Sequence, residues 1–482
     1  MDCHRPVVFV NTKLDHEWLL KLHEARSNGT LFRWATTLHP RSLPCSSNQP
    51  LFRQQNHDVV IDLTFSDQTI WVLRFPRPAG VSSRYVDEKV VMQVEALHLI
   101  RQRTEIPVPD VHAWGLAKDN QFGLGPYLLT SFADGIPLSE VWGEEGYNNP
   151  KILKDNIPDA QLEYMQRQMA RVMLQLYAID FERIGSLPTS ITKFPSLNRP
   201  LTRKANFVLL AGDVDILAGF TTTREYLEFL HHQDWQQLEL QKNSATSPEV
   251  TKSRYAGLKI LQTLLGAMTD ISHNEVPFKL SVMVRSQDDL TITGIVTQLF
   301  PWAPWWVLRS HPMESAAGLE SHEALQQDDP FFQRLERYTR FLVEEEARTV
   351  QNGVQLSQLM ASFGAMWFYP LLTNGFLDPL CLHFRQLRAQ VGASWWDKEV
   401  ERHKSGEEVE GWVVRNINNL EEYNTEHIVS QECEHLLQEG TISSKEYVDL
   451  MMSTIRLDPG ENWHHPNLAF LDEISDRQHG TA

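Results

Sequence analysis

Residues 59–78 read VVIDLTFSDQTIWVLRFPRP, and this stretch decides the fold. Val59, Ile61, Leu63 and Phe65 alternate with Val60, Asp62 and Thr64, a period of two that predicts a strand. Ser66-Asp67-Gln68 carries turn chemistry, and Ile70 to Phe75 is a second apolar run, so the whole stretch predicts a β-hairpin. The period then changes. Asp87 to Gln102 predicts a helix, with Val90, Val94, Leu97 and Arg101 along one side and Gln93, Leu97 and Ile100 along an adjoining one. Ile106-Pro107-Val108-Pro109 must run extended, because each proline pushes its predecessor out of the helical region. Pro126 to Phe132 predicts a further strand, closed by Asp134-Gly135.

Upstream of the hairpin, Asp15 to Arg26 predicts a helix and Thr37 to Pro50 a turn-rich linker. Downstream the pattern is helical. Leu162, Met165, Met169, Val172, Met173 and Leu176 share one face, and further helices are expected over 220–240, 253–268, 330–348, 356–371 and 377–391. Ser281 to Val284 and Thr291 to Val296 predict a short hairpin around Asp288-Asp289. Residues 399–429 are charged and poorly periodic until Glu421. The expected class is α+β, a small β-rich part followed by a large helical one. The segments divide as 1–50 (helix and linker), 51–130 (β-rich lobe), 131–395 (helical lobe) and 396–482 (acidic extension).

Composition narrows the function classes. The 482 residues carry a net charge of −18, from 62 acidic and 44 basic side chains. That balance disfavours non-specific binding to nucleic acid or an anionic membrane. Cys3, Cys45, Cys381 and Cys433 form no metal-binding spacing, and four scattered thiols in so long a chain point to a reducing, cytoplasmic setting. No secretory leader and no run long enough to span a bilayer is evident. Neither His231-His232 nor His464-His465 belongs to a metal motif, so no metal ligand set is expected.

The hairpin at 59–78, the run DEKVVMQVEALHLIRQRTEIPVPDVHAWG at 87–115 and GLGPYLLTSFADGIPLSEVW at 123–142 follow one another in an order that resembles the aminoglycoside-phosphotransferase family. FERIGSL at 181–187, FLVEEE at 341–346 and MWFYPLL at 366–372 extend the likeness, which is greatest to the fungal phosphotransferase-like branch and covers roughly residues 50 to 395. The resemblance implies the two-lobed protein-kinase-like fold, with ATP and Mg²⁺ as cofactors and a small-molecule hydroxyl as acceptor.

Phosphoryl transfer needs positioning and charge neutralisation. By resemblance, Arg74 is the strand cation that meets nucleotide phosphates, and Gln93 stands where a helix glutamate would hold it. Leu128, Leu129 and Thr130, at the strand leading into the connection between the lobes, complete the implied nucleotide contacts. Glu95 lies about 200° around the helix from Gln93 and is a poor substitute. Glu88, more than a turn away, is expected to be exposed. The phosphate-covering loop, FRQQNHD at 52–58, has no glycine. The catalytic pattern H-x-D-x-x-x-x-N should precede the short hairpin, yet Phe278-Lys279-Leu280 runs straight into Ser281, which stands at the asparagine position. After Ile292-Thr293-Gly294-Ile295-Val296, Thr297 stands where the metal-binding aspartate belongs. No residue is therefore assigned a catalytic role. Asp288-Asp289 reads as a solvated turn rather than a replacement.

The leading expectation is a catalytically impaired phosphotransferase homologue that binds a nucleotide or small molecule or acts in regulation. The alternatives are an active small-molecule kinase and an interaction scaffold using the acidic C-terminal region.

Overall fold

The computed structural model describes residues 5–47, 53–54, 58–78, 86–143, 154, 156–179, 185–195, 220–267, 282–285, 289–295, 330–349, 356–361, 382–439, 441–443, 446–447 and 450. The predicted hairpin is present as β3 (Asp58–Phe65) and β4 (Ile70–Pro76), paired antiparallel from Asp58↔Pro76 to Thr64↔Ile70. Asp67 builds its turn by accepting from the Thr69 backbone N–H at 3.1 Å and the Thr69 hydroxyl at 2.6 Å. β1 (Cys45–Ser46) and β2 (Arg53–Gln54) pair with opposite ends of β3. On the other side of β4 lie β6 (Tyr127–Ser131) and then β5 (Val111–Gly115), all antiparallel.

The period of two places two different sets of side chains on the two sheet faces. Val59, Ile61, Leu63, Phe65, Leu73, Phe75 and Leu129 share one buried cluster. Two helices cover it: α1 (Arg5–Ser27), through Trp18 and Leu22, and α2 (Thr30–Leu38), through Leu31 and Ala35. Burying such side chains contributes about 1.5–3 kcal/mol each. The sequence reading missed α2. Gly29, at φ +73°, reverses the chain between the two helices in a left-handed conformation that a side chain would strain. Asn28 steadies the restart by accepting from the Thr30 N–H at 2.9 Å.

The opposite, inner face meets α3 (Val86–Arg103), whose Val90 and Val94 pack on Leu128. A second small sheet, β7 (Ile136–Pro137), β8 (Val282–Val284) and β9 (Ile292–Ile295), matches the predicted short hairpin with one strand added. Around it stand α4 (Leu138–Trp142), α5 (Asp159–Tyr177), α6 (Thr223–Leu240), α7 (Pro248–Ala267), α8 (Pro330–Thr349), α9 (Leu356–Ala361), α10 (Leu382–Val391), α11 (Ala393–His403) and α12 (Glu407–Gln438). A large apolar core joins Met165, Met169 and Met173 to Leu230, Leu258, Tyr338, Leu387 and Trp396. The layout is α+β, a small antiparallel sheet with its covering helices followed by a larger helical part. Among the described residues, no helix is long and apolar enough to cross a membrane.

The charged segment after residue 399 corrects an expectation. It is mostly helix, in α11 and the single 32-residue α12, against which α7 packs. Its period is hard to see because ion pairs supplement the apolar contacts. Glu408 pairs with Lys259 at 3.1 Å, Glu410 with Lys252 at 2.6 Å and Glu422 with Lys242 at 3.1 Å. Three glutamates in its first turn also suit the helix dipole. Between the pairs, Val409, Val413 and Asn416 face inward. Asn416 has no exposed surface, and neither of its amide atoms has a partner among the described residues. Since a buried unsatisfied polar group costs about 1–3 kcal/mol, Asn416→Leu is expected to raise the melting temperature. A fall would mean that the amide is satisfied in solution.

Candidate functional site

Cross-strand register fixes which side chains share the inner face of the sheet. Arg74 stands opposite Leu128 and Val60, and Thr130 opposite Val72 and Val111. Directly opposed residues point the same way, so Arg74, Leu128 and Thr130 all face the α3 side. Leu129 does not. Its side chain lies in the outer-face cluster with Leu73 and Phe75, so strand alternation excludes it from the surface that carries Arg74. Arg74 is 7% exposed and Thr130 2% exposed, and the Thr130 hydroxyl has no partner among the described residues.

Gln93 is half-buried on α3, and no hydrogen bond joins it to Arg74 among the described residues. An ion pair made by other residues ties this helix to the sheet. Lys89, one turn before Gln93, puts its Nζ 2.9 Å from Oδ1 of Asp58, and both side chains are buried. Asp58 ends the segment anticipated as a phosphate-covering loop. That segment includes strand β2, which pairs antiparallel with β3. An ammonium on the helix thus meets a carboxylate on the strand across this face.

Glu88 corrects a second expectation, because it is 3% exposed rather than solvated. Its carboxylate accepts from the Ser186 hydroxyl at 3.1 Å. Glu95 lies on a different side of the helix from Gln93. It accepts from the backbone N–H groups of Ile191 and Thr192, at 3.1 and 2.7 Å, and from the Thr192 hydroxyl at 2.7 Å. Residues 185–195 therefore lie along the side of α3 turned away from Gln93.

The β8–β9 hairpin is held on three sides. The Ile295 N–H donates to Pro107 O at 2.8 Å, and the Thr293 hydroxyl to Asp134 O at 2.6 Å. Gln168 of α5 donates to Leu290 O and accepts from the Ile292 N–H, both at 2.9 Å. At the tip, Asp289 accepts from the Thr291 hydroxyl at 2.6 Å, from its N–H at 3.0 Å and from Arg285 at 3.1 Å. The Thr291 hydrogen bonds, with Arg285 beside them, hold its carboxyl below the ordinary range. The Asp289 carboxylate is thus engaged by its near neighbours.

Ser281 and Thr297 lie outside the described residues, as do Asp288, His273 and the aromatic run at 302–306. The one His-x-Asp triplet of the chain, His232-Gln233-Asp234, falls inside α6, and Asp234 is buried there. Next to it, Nε2 of His231 accepts from the Trp235 indole at 3.1 Å. Among the described residues, no group of three His, Cys, Asp or Glu side chains comes together to hold a metal ion.

Sequence reasoning missed Asp58 and Lys89. The available signal was a lysine at the position one turn ahead of Gln93, on a helix with acids around it.

No family model matches the chain, and no curated protein is similar to it in sequence. Among solved structures it is similar to a macrolide 2'-phosphotransferase type I, at 13% identity over 76% of this chain and 96% of that one, with a TM-score of 0.38. It is also similar to an apoenzyme macrolide 2'-phosphotransferase from Brachybacterium faecium, at 14% identity over 80% of this chain and 99% of that one, again with a TM-score of 0.38.

Proposed function

We propose that this is a phosphotransferase-like protein that binds a nucleotide or small molecule on the inner face of its sheet and is impaired in phosphoryl transfer. One observation carries the binding half: Arg74, Leu128 and Thr130 share that face, and the Thr130 hydroxyl is buried without a partner among the described residues. A buried hydroxyl left unpaired calls for an explanation, and a ligand polar group is one. Arg74 would meet phosphate, for which a guanidinium fork is suited. Bound MgATP would supply the transferable phosphoryl group and its charge-neutralising cation.

The impairment follows from the carboxylates. Asp58 is engaged by Lys89, and Asp289 by Thr291 and Arg285. The sequence has no H-x-D-x-x-x-x-N at all. Without that motif's acid to orient the acceptor hydroxyl, binding and turnover separate.

Calorimetric titration with MgATP and an ATP-turnover assay test both halves. Binding without turnover is expected, and Arg74→Met should weaken binding roughly tenfold or more. Robust turnover by pure protein would remove the impairment, and no affinity for any nucleotide would remove the binding site. An active kinase remains the second reading because the hairpin framework is intact around the missing motif. Transcript sequence across Leu280-Ser281 that restored H-x-D-x-x-x-x-N would favour it.

A further inference from the structure

The residues proposed to meet a ligand are closed off. Arg74 and Thr130 lie on the face covered by α3, with Val90 and Val94 seated on Leu128. Movement of α3 would open that face to a ligand, so the ties on the helix bear on access.

On its sheet side α3 is held by Lys89 to Asp58. Its N-terminal turn is held by Asp87, which accepts from the Ala117 N–H at 2.7 Å, and its last turn by Arg101, which pairs with Asp110 at 2.9 Å. On the remaining side Glu88, Met92 and Glu95 follow one another at helical spacing and all receive donors from residues 185–195. Ser186 donates to Glu88, and the Leu187 N–H lies 3.1 Å from the Met92 sulfur. Ile191 and Thr192 together give three donors to Glu95. Among the described residues, the contacts of this segment are mostly polar. Leu187 is buried, but Ile191 is 43% exposed and Lys193 sits at φ +56°, a strained conformation for a lysine. Such contacts can be exchanged for water, unlike the apolar contacts beneath α3.

We infer that residues 185–195 are a releasable strap: seated on Glu88 and Glu95 it keeps α3 closed over Arg74 and Thr130, and its release admits ligand to that face. The gating half rests on the proposed nucleotide or small-molecule site; the strap half does not. Glu95→Ala removes the acceptor of three donors, and Thr192→Val removes one donor as a milder change should the first variant fold poorly.

Amide hydrogen exchange on the full chain reads the strap directly. Both variants are expected to speed exchange in 86–103 as well as in 185–195, roughly tenfold for Glu95→Ala. Stopped-flow mixing with MgATP reads the gate, with faster association expected in the variants. Faster exchange confined to 185–195 would overturn the strap, since α3 would then not depend on it. MgATP association equally fast in wild type and variants would overturn the gate. If α3 exchange rises but neither wild type nor variant binds MgATP, the strap stands and the nucleotide reading fails.

Discussion

Lys89→Met is expected to destabilise the protein by about 3–5 kcal/mol, because it leaves the Asp58 carboxylate buried without its counter-ion. The pair is short, at 2.9 Å, and both side chains lie between α3 and the sheet. A buried ion pair is weak evidence of net stabilisation, since desolvation offsets much of the attraction. Breaking one is a different matter, because the surviving charge has neither water nor partner. The double variant Asp58→Leu with Lys89→Met should therefore recover most of the loss, an outcome that urea unfolding of both singles and the double would show. If Lys89→Met alone unfolds at the same urea concentration as wild type, water reaches Asp58 and the latch is not structural. Arg74→Met is read instead through ligand affinity, which separates the latch from the proposed ligand contact.

Glu345→Gln is expected to cost about 2 kcal/mol, the next largest effect. Its carboxylate is 3% exposed in the seam between α5 and α8 and faces three arginines. Arg167 lies at 3.3 Å, Arg171 at 2.8 Å and Arg348 at 2.7 Å. Arg171 and Arg348 are more than half exposed and can turn to water when the acid is lost, which keeps the cost below that of Lys89→Met. The pH dependence has a definite sign. Burial pushes the Glu345 carboxyl up, but Arg171, Arg348 and Arg167 pull it down further, leaving it below its ordinary 4.5. A carboxyl depressed on folding contributes stability that is present above its unfolded pKa and lost as pH falls through its folded one. Wild-type stability should thus decline below about pH 4.5, and the decline should be shallower in Glu345→Gln. Equal slopes for the two proteins would show that other carboxylates dominate the acid limb.

The small sheet was legible because Val59, Ile61, Leu63 and Phe65 alternate cleanly, and a period of two has few other readings. Helix α2 was not, because Asn28-Gly29 marks a stop and gives no sign that a helix restarts. Helix α12 was obscured for a chemical reason, since part of its hold on α7 and on Lys242 just past α6 comes from glutamates reaching lysines. At the candidate site, Arg74 and Thr130 could be placed on one face from strand register alone, and the same alternation should have removed Leu129. Asp58 and Lys89 meet across 31 positions of sequence, a distance at which local patterns are silent. Glu88 looked solvated because charge was read without its neighbour Ser186, which is 98 residues away.

The cover that α1 and α2 place over the outer sheet face has a consequence for where the folding unit begins. Trp18 reaches across to Leu124 O at 2.9 Å, and Arg77 at the end of the β3–β4 hairpin pairs with Asp15. A fragment starting at residue 51 would keep every strand from β2 to β6 yet present Ile61, Leu63, Phe65, Leu73 and Phe75 to water as one continuous surface. Such a surface drives self-association before it supports a monomer. The cooperative unit therefore reaches back into α1, and the first helices belong to the sheet as much as its strands do.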